Sequence, residues 1–211
     1  MIILSHRGYW KEITEKNQLI SFERGFKLNF GTETDIRDHK GELVISHDIS
    51  DEKSILVKEF FKIYNQYNNT LPLALNIKSD GLQIKLKELL EEYKITNYFV
   101  FDMSVPDGLQ YLKQNINYFT RESEYETMPS FYDEAYGVWL DEFKGHWISK
   151  EIIEKHVDNN KQICIVSPEL HKRTYEKEWA CYKEIEQQLN IVNLMICTDY
   201  PKIAQEFFNE K

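Results

Sequence analysis

Two carboxylates, Glu33 and Asp35, stand two residues apart in the segment Thr32–Ile36, whose composition is typical of a β-strand. Side chains two residues apart in a strand project from the same face, so both carboxylates would point the same way. Such a pair is unfavourable unless a proton or a cation lies between the two charges. Because Mg²⁺ and Ca²⁺ take hard oxygen ligands, the pair predicts a divalent-cation site. For an isolated E-x-D, a solvated strand face is the simpler interpretation.

Two histidines follow apolar runs on either side of this acidic pair. His6 comes directly after Ile2–Ser5 and precedes Arg7. His47 comes directly after the run Leu43–Ser46. An imidazole titrates near neutral pH, so one histidine can act as a base while another acts as an acid. A lone histidine in such a position is usually structural, but this combination predicts a general acid–base pair.

Eight short apolar or β-branched runs recur along the chain, and segments with helical spacing separate most of them. The runs are Ile2–Ser5, Thr32–Ile36, Leu73–Ile77, Tyr98–Phe101, Asn117–Thr120, Gly137–Leu140, Gln162–Val166 and Asn193–Cys197. Alternating strands and helices favour a parallel sheet, and eight is the strand number of a (β/α)₈ barrel. We therefore expect one α/β barrel domain over residues 1–211, with an open doubly wound sheet as the alternative. The additional run Leu43–Ser46 follows the turn-like Lys40-Gly41 and predicts a small hairpin arm or a strand extension.

Polar or charged residues accompany the end of each of the eight runs. The carboxyl ends of parallel strands share one face of a barrel, where active sites are built. We therefore expect a lined pocket there, and we expect Arg121, Asp141 and Glu169 to contact the substrate.

The composition restricts the class of partner and the compartment. The formal charge of −9 disfavours nucleic acid, because the chain offers no basic stripe for the phosphate backbone. Three dispersed cysteines without a C-x-x-C motif predict neither a disulfide framework nor a zinc site. The N-terminus lacks the features of a secretion signal, and no apolar run is long enough to span a membrane. We therefore expect a cytoplasmic protein that acts on a small molecule.

The order of these motifs resembles the glycerophosphodiester phosphodiesterase family. The resemblance is carried by Ser5-His6-Arg7-Gly8, Asn17, Ser21-Phe22-Glu23, Thr32-Glu33-Thr34-Asp35-Ile36-Arg37, Gly41-Glu42-Leu43-Val44 and His47-Asp48. Two later segments are also similar to the family. Leu75-Asn76-Ile77-Lys78 resembles the E-I-K motif of its third strand, and Cys197-Thr198-Asp199-Tyr200-Pro201 resembles the T-D-Y-P motif of its final strand. The family adopts a (β/α)₈ barrel, which agrees with the eight runs.

The resemblance implies a metal-dependent phosphodiester hydrolase that uses Mg²⁺ or Ca²⁺. Its substrate would be a small glycerophosphodiester or a related polyol or sugar phosphodiester. By this resemblance, His6 and His47 match the catalytic histidines of the family. Glu33 and Asp35 match its metal-binding carboxylates. Arg7 and Lys78 match the residues near the substrate phosphate.

This sequence departs from the family pattern at two positions. Asn76 stands where the family usually has a third metal-binding glutamate, and Lys16 stands where it usually has a glutamate before Asn17. An amide oxygen can bind a hard cation but adds no negative charge, so the site would bind metal more weakly. Alternatively, Asp102 or Asp141 could substitute from a neighbouring strand. Both departures indicate a divergent subgroup.

Three other functions are compatible with the sequence. A phospholipase C-like or sphingomyelinase D-like barrel would act on lipids, and a barrel that has lost its metal would only bind a phosphorylated ligand. A partner-binding barrel could use the aromatic cluster Phe60, Phe61, Tyr64 and Tyr67 as an oligomer surface, although a buried helix stripe explains this cluster better. The sequence indicates neither the oligomeric state nor which histidine is the acid.

Overall fold

The computed structural model describes residues 1–67 and 70–209, and these residues form ten β-strands and seven α-helices. They group into two compact units, one of Ser5–Tyr118 and one of Met1–Leu4 with the described residues from Phe119 onward. Strand β1 (Ile2–His6) contributes residues to both units. Among the described residues, no helix combines the length and the apolar character that a membrane crossing requires.

Five further strands and four helices belong to the unit Ser5–Tyr118. They are β2 (Gly31–His39), β3 (Glu42–Ile45), β4 (Ile55–Leu56), β5 (Leu73–Ile77), β6 (Tyr98–Phe101), α1 (Leu19–Lys27), α2 (Val57–Gln66), α3 (Gln83–Glu92) and α4 (Val105–Lys113). Strand β5 lies between β2 and β6 and runs parallel to both. Strands β3 and β4 extend β2 as antiparallel arms, so the hairpin predicted from Leu43–Ser46 is confirmed.

Aromatic side chains hold α1 and α2 together in this unit. The rings of Phe22 and Phe60 lie 4.6 Å apart, and Phe61 and Tyr64 are also completely buried. Tyr67 is half-buried at the end of α2. The cluster is therefore mainly a core stripe and not a surface for a partner.

The second unit contains four strands and three helices. They are β7 (Phe119–Ser123), β8 (Gly137–Asp141), β9 (Gln162–Val166), β10 (Met195–Thr198), α5 (Lys150–Asp158), α6 (Glu176–Leu189) and α7 (Pro201–Asn209). The four strands are parallel and follow one another in chain order. The first residues of β1 lie beside them, because the backbone N of Ile2 donates to the carbonyl of Leu194 over 2.8 Å.

The predicted runs match the eight parallel strands, but two strands begin later than the sequence indicates. Strand β7 begins at Phe119 and β10 at Met195, whereas the runs begin at Asn117 and Asn193. Asparagine disfavours strands because its amide competes for backbone hydrogen bonds. Asn117 shows this directly, since its side chain donates to the carbonyl of Tyr98 over 3.2 Å. The short β4 has no clear signal in the sequence.

Gly137 begins β8 at a point where a methyl group has no room. A Cβ there would lie 2.4 Å from Cζ of Phe119 and 2.5 Å from the carbonyl oxygen of Gln162, whereas a Cβ at Gly145 would meet nothing within 4 Å. We expect Gly137→Ala to lower the free energy of unfolding by about 1–3 kcal/mol through overpacking. Gly145→Ala should stay within about 0.5 kcal/mol of the original protein. Urea unfolding of both variants measures the difference, and equal effects would contradict the packing argument.

Candidate functional site

The chain turns sharply where β1 ends, at His6, Arg7 and Gly8. Arg7 and Gly8 have positive φ angles of 59° and 83°. A Cβ on Gly8 would lie 2.4 Å from Oγ of Ser21, so this turn requires glycine. The backbone N of Arg7 then donates to the carbonyl of Glu33 over 2.9 Å. The end of β1 is thereby fixed beside the acidic segment of β2.

Glu33 is buried in β2, and its Oε2 lies 3.8 Å from Nε2 of His6. Within the described part of the chain, this oxygen has no hydrogen-bond partner. Burial raises the pKa of the Glu33 carboxyl, the charge of Asp35 adds to the rise, and the net value is about 7. The positive charges of His6, Arg7 and Lys78 oppose the shift. Glu33 therefore exchanges readily between its protonated and ionised forms near neutral pH.

Asp35 is completely buried, and donors surround its carboxylate. Nε of Arg7 lies 2.9 Å from Oδ2, and Nδ2 of Asn17 donates to the same oxygen over 2.8 Å. Nζ of Lys78 lies 3.5 Å from Oδ1. Oδ1 of Asn17 accepts from the Thr34 hydroxyl over 2.9 Å, so both ends of this amide are engaged with β2.

Asn17 contacts the site but had no assigned role in the sequence analysis. Its φ angle is 59°, in the left-handed region that asparagine tolerates better than most residues. Its backbone N donates to the carbonyl of Arg7 over 3.0 Å. The one sequence signal was its place in the family resemblance, and the contact with Asp35 could not be read from spacing.

The end of β5 brings more polar groups to Asp35. In the parallel register of β2 and β5, Asp35 lies opposite Asn76. Nδ2 of Asn76 donates to Oδ2 of Asp102 over 3.2 Å, and Nζ of Lys78 lies 3.9 Å from the same oxygen. The structure therefore gathers Asn76, Lys78 and Asp102 around the acidic pair.

His47 follows β3 and lies at a cleft of about 290 Å³. Its side chain is 48% exposed, and its Nδ1 lies 2.9 Å from Oδ1 of Asp48. The lining of the cleft includes Arg7, Lys16 and Asn17 as well as His47. The second predicted histidine thus faces the same cleft as Arg7, which contacts Asp35.

Arg121 and Asp141 lie in the second unit, and each has an ionic partner there. Arg121 lies inside β7, where it pairs with Glu126 and its guanidinium carbon is 5.8 Å from the ring of Phe143. Oδ1 of Asp141 lies 2.5 Å from Nε2 of His171. A substrate contact by either residue stays a prediction, as does a metal-binding role for Asp141.

Glu169 follows β9, and three donors engage its carboxylate. The hydroxyls of Ser167 and Thr198 donate to it, and the backbone N of Asp199 donates over 3.0 Å. Burial raises the pKa of the Glu169 carboxyl. These bonds tie the end of β9 to the end of β10, which is a structural role. The predicted contact between Glu169 and the substrate is untested.

Solved structures with similar folds include phosphodiesterases. A glycerophosphodiester phosphodiesterase from Agrobacterium tumefaciens is 13% identical, with a TM-score of 0.71 over 100% of both chains. A phosphodiesterase from Oleispira antarctica, solved with the product sn-glycerol-3-phosphate, is 14% identical, with a TM-score of 0.70 over 100% of this chain and 97% of that one. A Ca²⁺-dependent phosphatidylinositol-specific phospholipase C from Streptomyces antibioticus is 9% identical, with a TM-score of 0.56 over 99% of this chain and 95% of that one. No family model and no curated protein matches the sequence.

The chain has the (β/α)₈ barrel fold. The glycerophosphodiester phosphodiesterases that it resembles are barrels of this type. The barrel predicted from the eight runs is therefore confirmed in preference to an open doubly wound sheet. At 13–14% identity this likeness establishes the fold, and the activity has to be argued from the side chains.

The acidic pair and Asn76 offer oxygen atoms that fit a hard cation. Among the described residues, no group of three or more His, Cys, Asp and Glu side chains could hold a metal ion. A set that includes an amide as well as carboxylates is nevertheless present. Oε2 of Glu33, Oδ1 of Asp35 and Oδ1 of Asn76 are buried, and none of these oxygens has a hydrogen-bond partner among the described residues. Buried oxygens without partners are unfavourable, and Mg²⁺ and Ca²⁺ accept carboxylate and amide oxygens.

The raised pKa of Glu33 predicts a pH dependence of stability in buffer with a chelator. Between the ordinary value of 4.5 and the raised value of about 7, the folded protein binds more protons than the unfolded chain. The free energy of unfolding should therefore fall as the pH rises through this window. Glu33→Gln removes the titrating group, so this variant should match the original protein at pH 5 and exceed its stability by about 1–3 kcal/mol at pH 8.

Urea unfolding of Glu33→Gln from pH 5 to pH 8 measures this difference. Glu88→Gln is a suitable control, because Glu88 is exposed on α3. If the stability curves of the original protein and Glu33→Gln stay parallel over this range, the buried carboxyl does not titrate as described.

Proposed function

We propose that this protein is a phosphoric diester hydrolase that acts on a small glycerophosphodiester or a related polyol or sugar phosphodiester. One observation carries the proposal: His6 lies beside Glu33, while Arg7 and Lys78 both lie beside Asp35. Acid–base, cationic and oxygen-ligand groups are thus joined in one cluster at strand ends. The fold shared with the phosphodiesterases of Agrobacterium and Oleispira supports the same chemistry.

Arg7 and Lys78 are the proposed phosphate-binding groups. Their side chains are 21% and 19% exposed, so each is anchored against Asp35 but still reaches solvent. A guanidinium and an ammonium form charge-assisted hydrogen bonds with phosphate oxygens. Anchoring by Asp35 reduces the freedom that these side chains lose when the substrate binds.

His6 and His47 are the proposed base and acid. One imidazole removes a proton from the attacking oxygen as that oxygen bonds to phosphorus. The other imidazole donates a proton to the oxygen of the departing alcohol as its bond to phosphorus breaks. A carboxylate lies beside each ring, Glu33 at 3.8 Å from His6 and Asp48 at 2.9 Å from His47.

The nucleophile depends on the alcohol in the substrate. If a hydroxyl lies next to the ester oxygen, it attacks first and a cyclic phosphate forms, which water then opens. Otherwise water attacks the phosphorus directly. In either case the same two imidazoles move the protons.

Glu33, Asp35 and Asn76 are the residues that would hold a divalent cation, Mg²⁺ or Ca²⁺. The cation would neutralise charge that develops on the phosphoryl oxygens in the transition state. Arg7 and Lys78 already balance much of the charge of Asp35, and Asn76 is neutral. We therefore expect this site to bind its cation more weakly than a site with three carboxylates.

The character of the cleft favours a polar substrate over a lipid. Its lining includes Arg7, Lys16, His47, Asp48 and Lys53, with few apolar side chains. A lipid-cleaving enzyme, like the phospholipase C neighbour, and a phospho-ligand-binding protein without activity are the alternatives. Turnover of a soluble glycerophosphodiester, compared with turnover of lysophospholipid micelles, separates the three functions.

The cysteines support the proposed compartment. Cys164, Cys181 and Cys197 are free thiols, and two of them are buried. Free thiols persist in a reducing environment, so we keep the cytoplasm as the proposed location.

We expect His6→Ala and His47→Ala each to lower kcat by about 10²–10⁴, as loss of a general acid or base does. His39→Gln is a matched control, because that ring lies near Ser50 and Glu52 and has no role in the proposed chemistry. Steady-state hydrolysis of a chromogenic phosphodiester gives the comparison. A near-normal rate in either alanine variant would remove that histidine from the scheme.

Chelation should abolish turnover of the same substrate, and added Mg²⁺ or Ca²⁺ should restore it. The reason is that Glu33, Asp35 and Asn76 each have a buried oxygen that finds no hydrogen-bond partner in the described part of the chain and that a cation would satisfy. Rates measured before chelation, after it, and after each metal is added back test this. Full activity in excess chelator would show that the reaction needs no divalent cation.

A further inference from the structure

Asp102 lies beside the proposed cation ligands, and the scheme above gives it no role. It directly follows β6 and has a φ angle of 69°, which is unusual for a residue other than glycine. Its side chain is 17% exposed. A non-glycine residue held in this conformation indicates that its position is determined by its surroundings.

The hydrogen bond between Asn76 and Asp102 determines which way the amide of Asn76 faces. A carboxylate can only accept, so Nδ2 of Asn76 must be the atom that faces Asp102, at 3.2 Å. Oδ1 is then the free end of the amide, and it has no hydrogen-bond partner among the described residues. Asp102 therefore presents Asn76 as an oxygen ligand next to Asp35, its register partner on β2.

Asp102 also changes the charge available to a cation. Donation from Nδ2 to a carboxylate polarises the amide and increases the negative charge on Oδ1. Nζ of Lys78 lies 3.9 Å from Asp102 and 3.5 Å from Asp35, so the two carboxylates share this ammonium. Because Lys78 also interacts with Asp102, it neutralises less of the negative charge of Asp35, and more of that charge can interact with another cation.

From these contacts we infer that Asp102 is a positioning residue for the divalent cation, acting through Asn76. Its carboxylate orients and polarises the Asn76 amide, and so supplies from β6 the negative charge that a carboxylate at position 76 would supply directly. Partners of this kind hold metal ligands in place in many sites. The inference rests on the proposed function, because it requires that Glu33, Asp35 and Asn76 bind the cation.

Calorimetric titration of the purified protein with Ca²⁺, after removal of metal, tests the inference without an activity measurement. Asp102→Asn keeps the shape and tolerates a positive φ, and it should weaken Ca²⁺ binding by about 10–100-fold. Asp80→Asn is the matched control, because this nearby carboxylate accepts from Ser104 at 3.1 Å instead of from Asn76. It should bind Ca²⁺ like the original protein.

A rescue variant tests whether Asp102 acts through Asn76. Asn76→Asp combined with Asp102→Asn places a carboxylate directly at the ligand position and should bind Ca²⁺ at least as tightly as the original protein. Asp102→Gly, which also accepts the backbone conformation, replaces Asp102→Asn if the latter does not fold. Thermal unfolding of the metal-free proteins checks folding.

The outcomes separate this inference from the proposed function. If the original protein binds Ca²⁺ and hydrolyses diesters but Asp102→Asn binds Ca²⁺ like Asp80→Asn, the inference fails alone. Loss of binding that Asn76→Asp does not restore would overturn the route through Asn76. An original protein that neither binds Ca²⁺ nor hydrolyses a diester would overturn both.

Discussion

Burial of two carboxylates on one face of β2 is the constraint on which the rest of the site depends. Two neighbouring negative charges in a low-dielectric interior are strongly unfavourable without compensation. The compensation comes from the ends of other elements: Arg7 follows β1, Lys78 follows β5, and Asn17 lies in the loop before α1. The elements around the acidic segment are therefore bound together by the same contacts that bring cationic side chains to this site.

The compensation is unequal, and this gives the two carboxylates different properties. Asp35 directly contacts Arg7, Asn17 and Lys78, whereas Glu33 lies 3.8 Å from the ring of His6. Asp35 consequently acts as the anchor for the cationic side chains. Glu33 has a raised pKa, and its Oε2 has no hydrogen-bond partner among the described residues, so this carboxyl can take up a proton or a cation.

Local patterns in the sequence predicted the strands and the shared face of the acidic pair, because a period of two fixes side-chain direction within one strand. The hairpin that precedes His47 was predicted from the apolar run Leu43–Ser46, which follows the turn-like Lys40-Gly41. The contact of Asn17 with Asp35 could not be predicted, since it depends on a left-handed loop residue folding back onto β2. The partners of Glu169 likewise depend on two strand ends meeting in space.

Asn76 shows that a motif within one strand does not describe all the charges near a site. Along the sequence, asparagine in place of glutamate indicates a lost charge. Neighbouring parallel strands lie only about 4.8 Å apart, so side chains at the ends of two such strands can contact each other. Asn76 pairs with Phe101 in the register of β5 and β6, which sets Asp102 one residue beyond it and within reach of its amide. A carboxylate is thus present one strand away from position 76, and the register between the strands brings Asp102 within reach of the Asn76 amide.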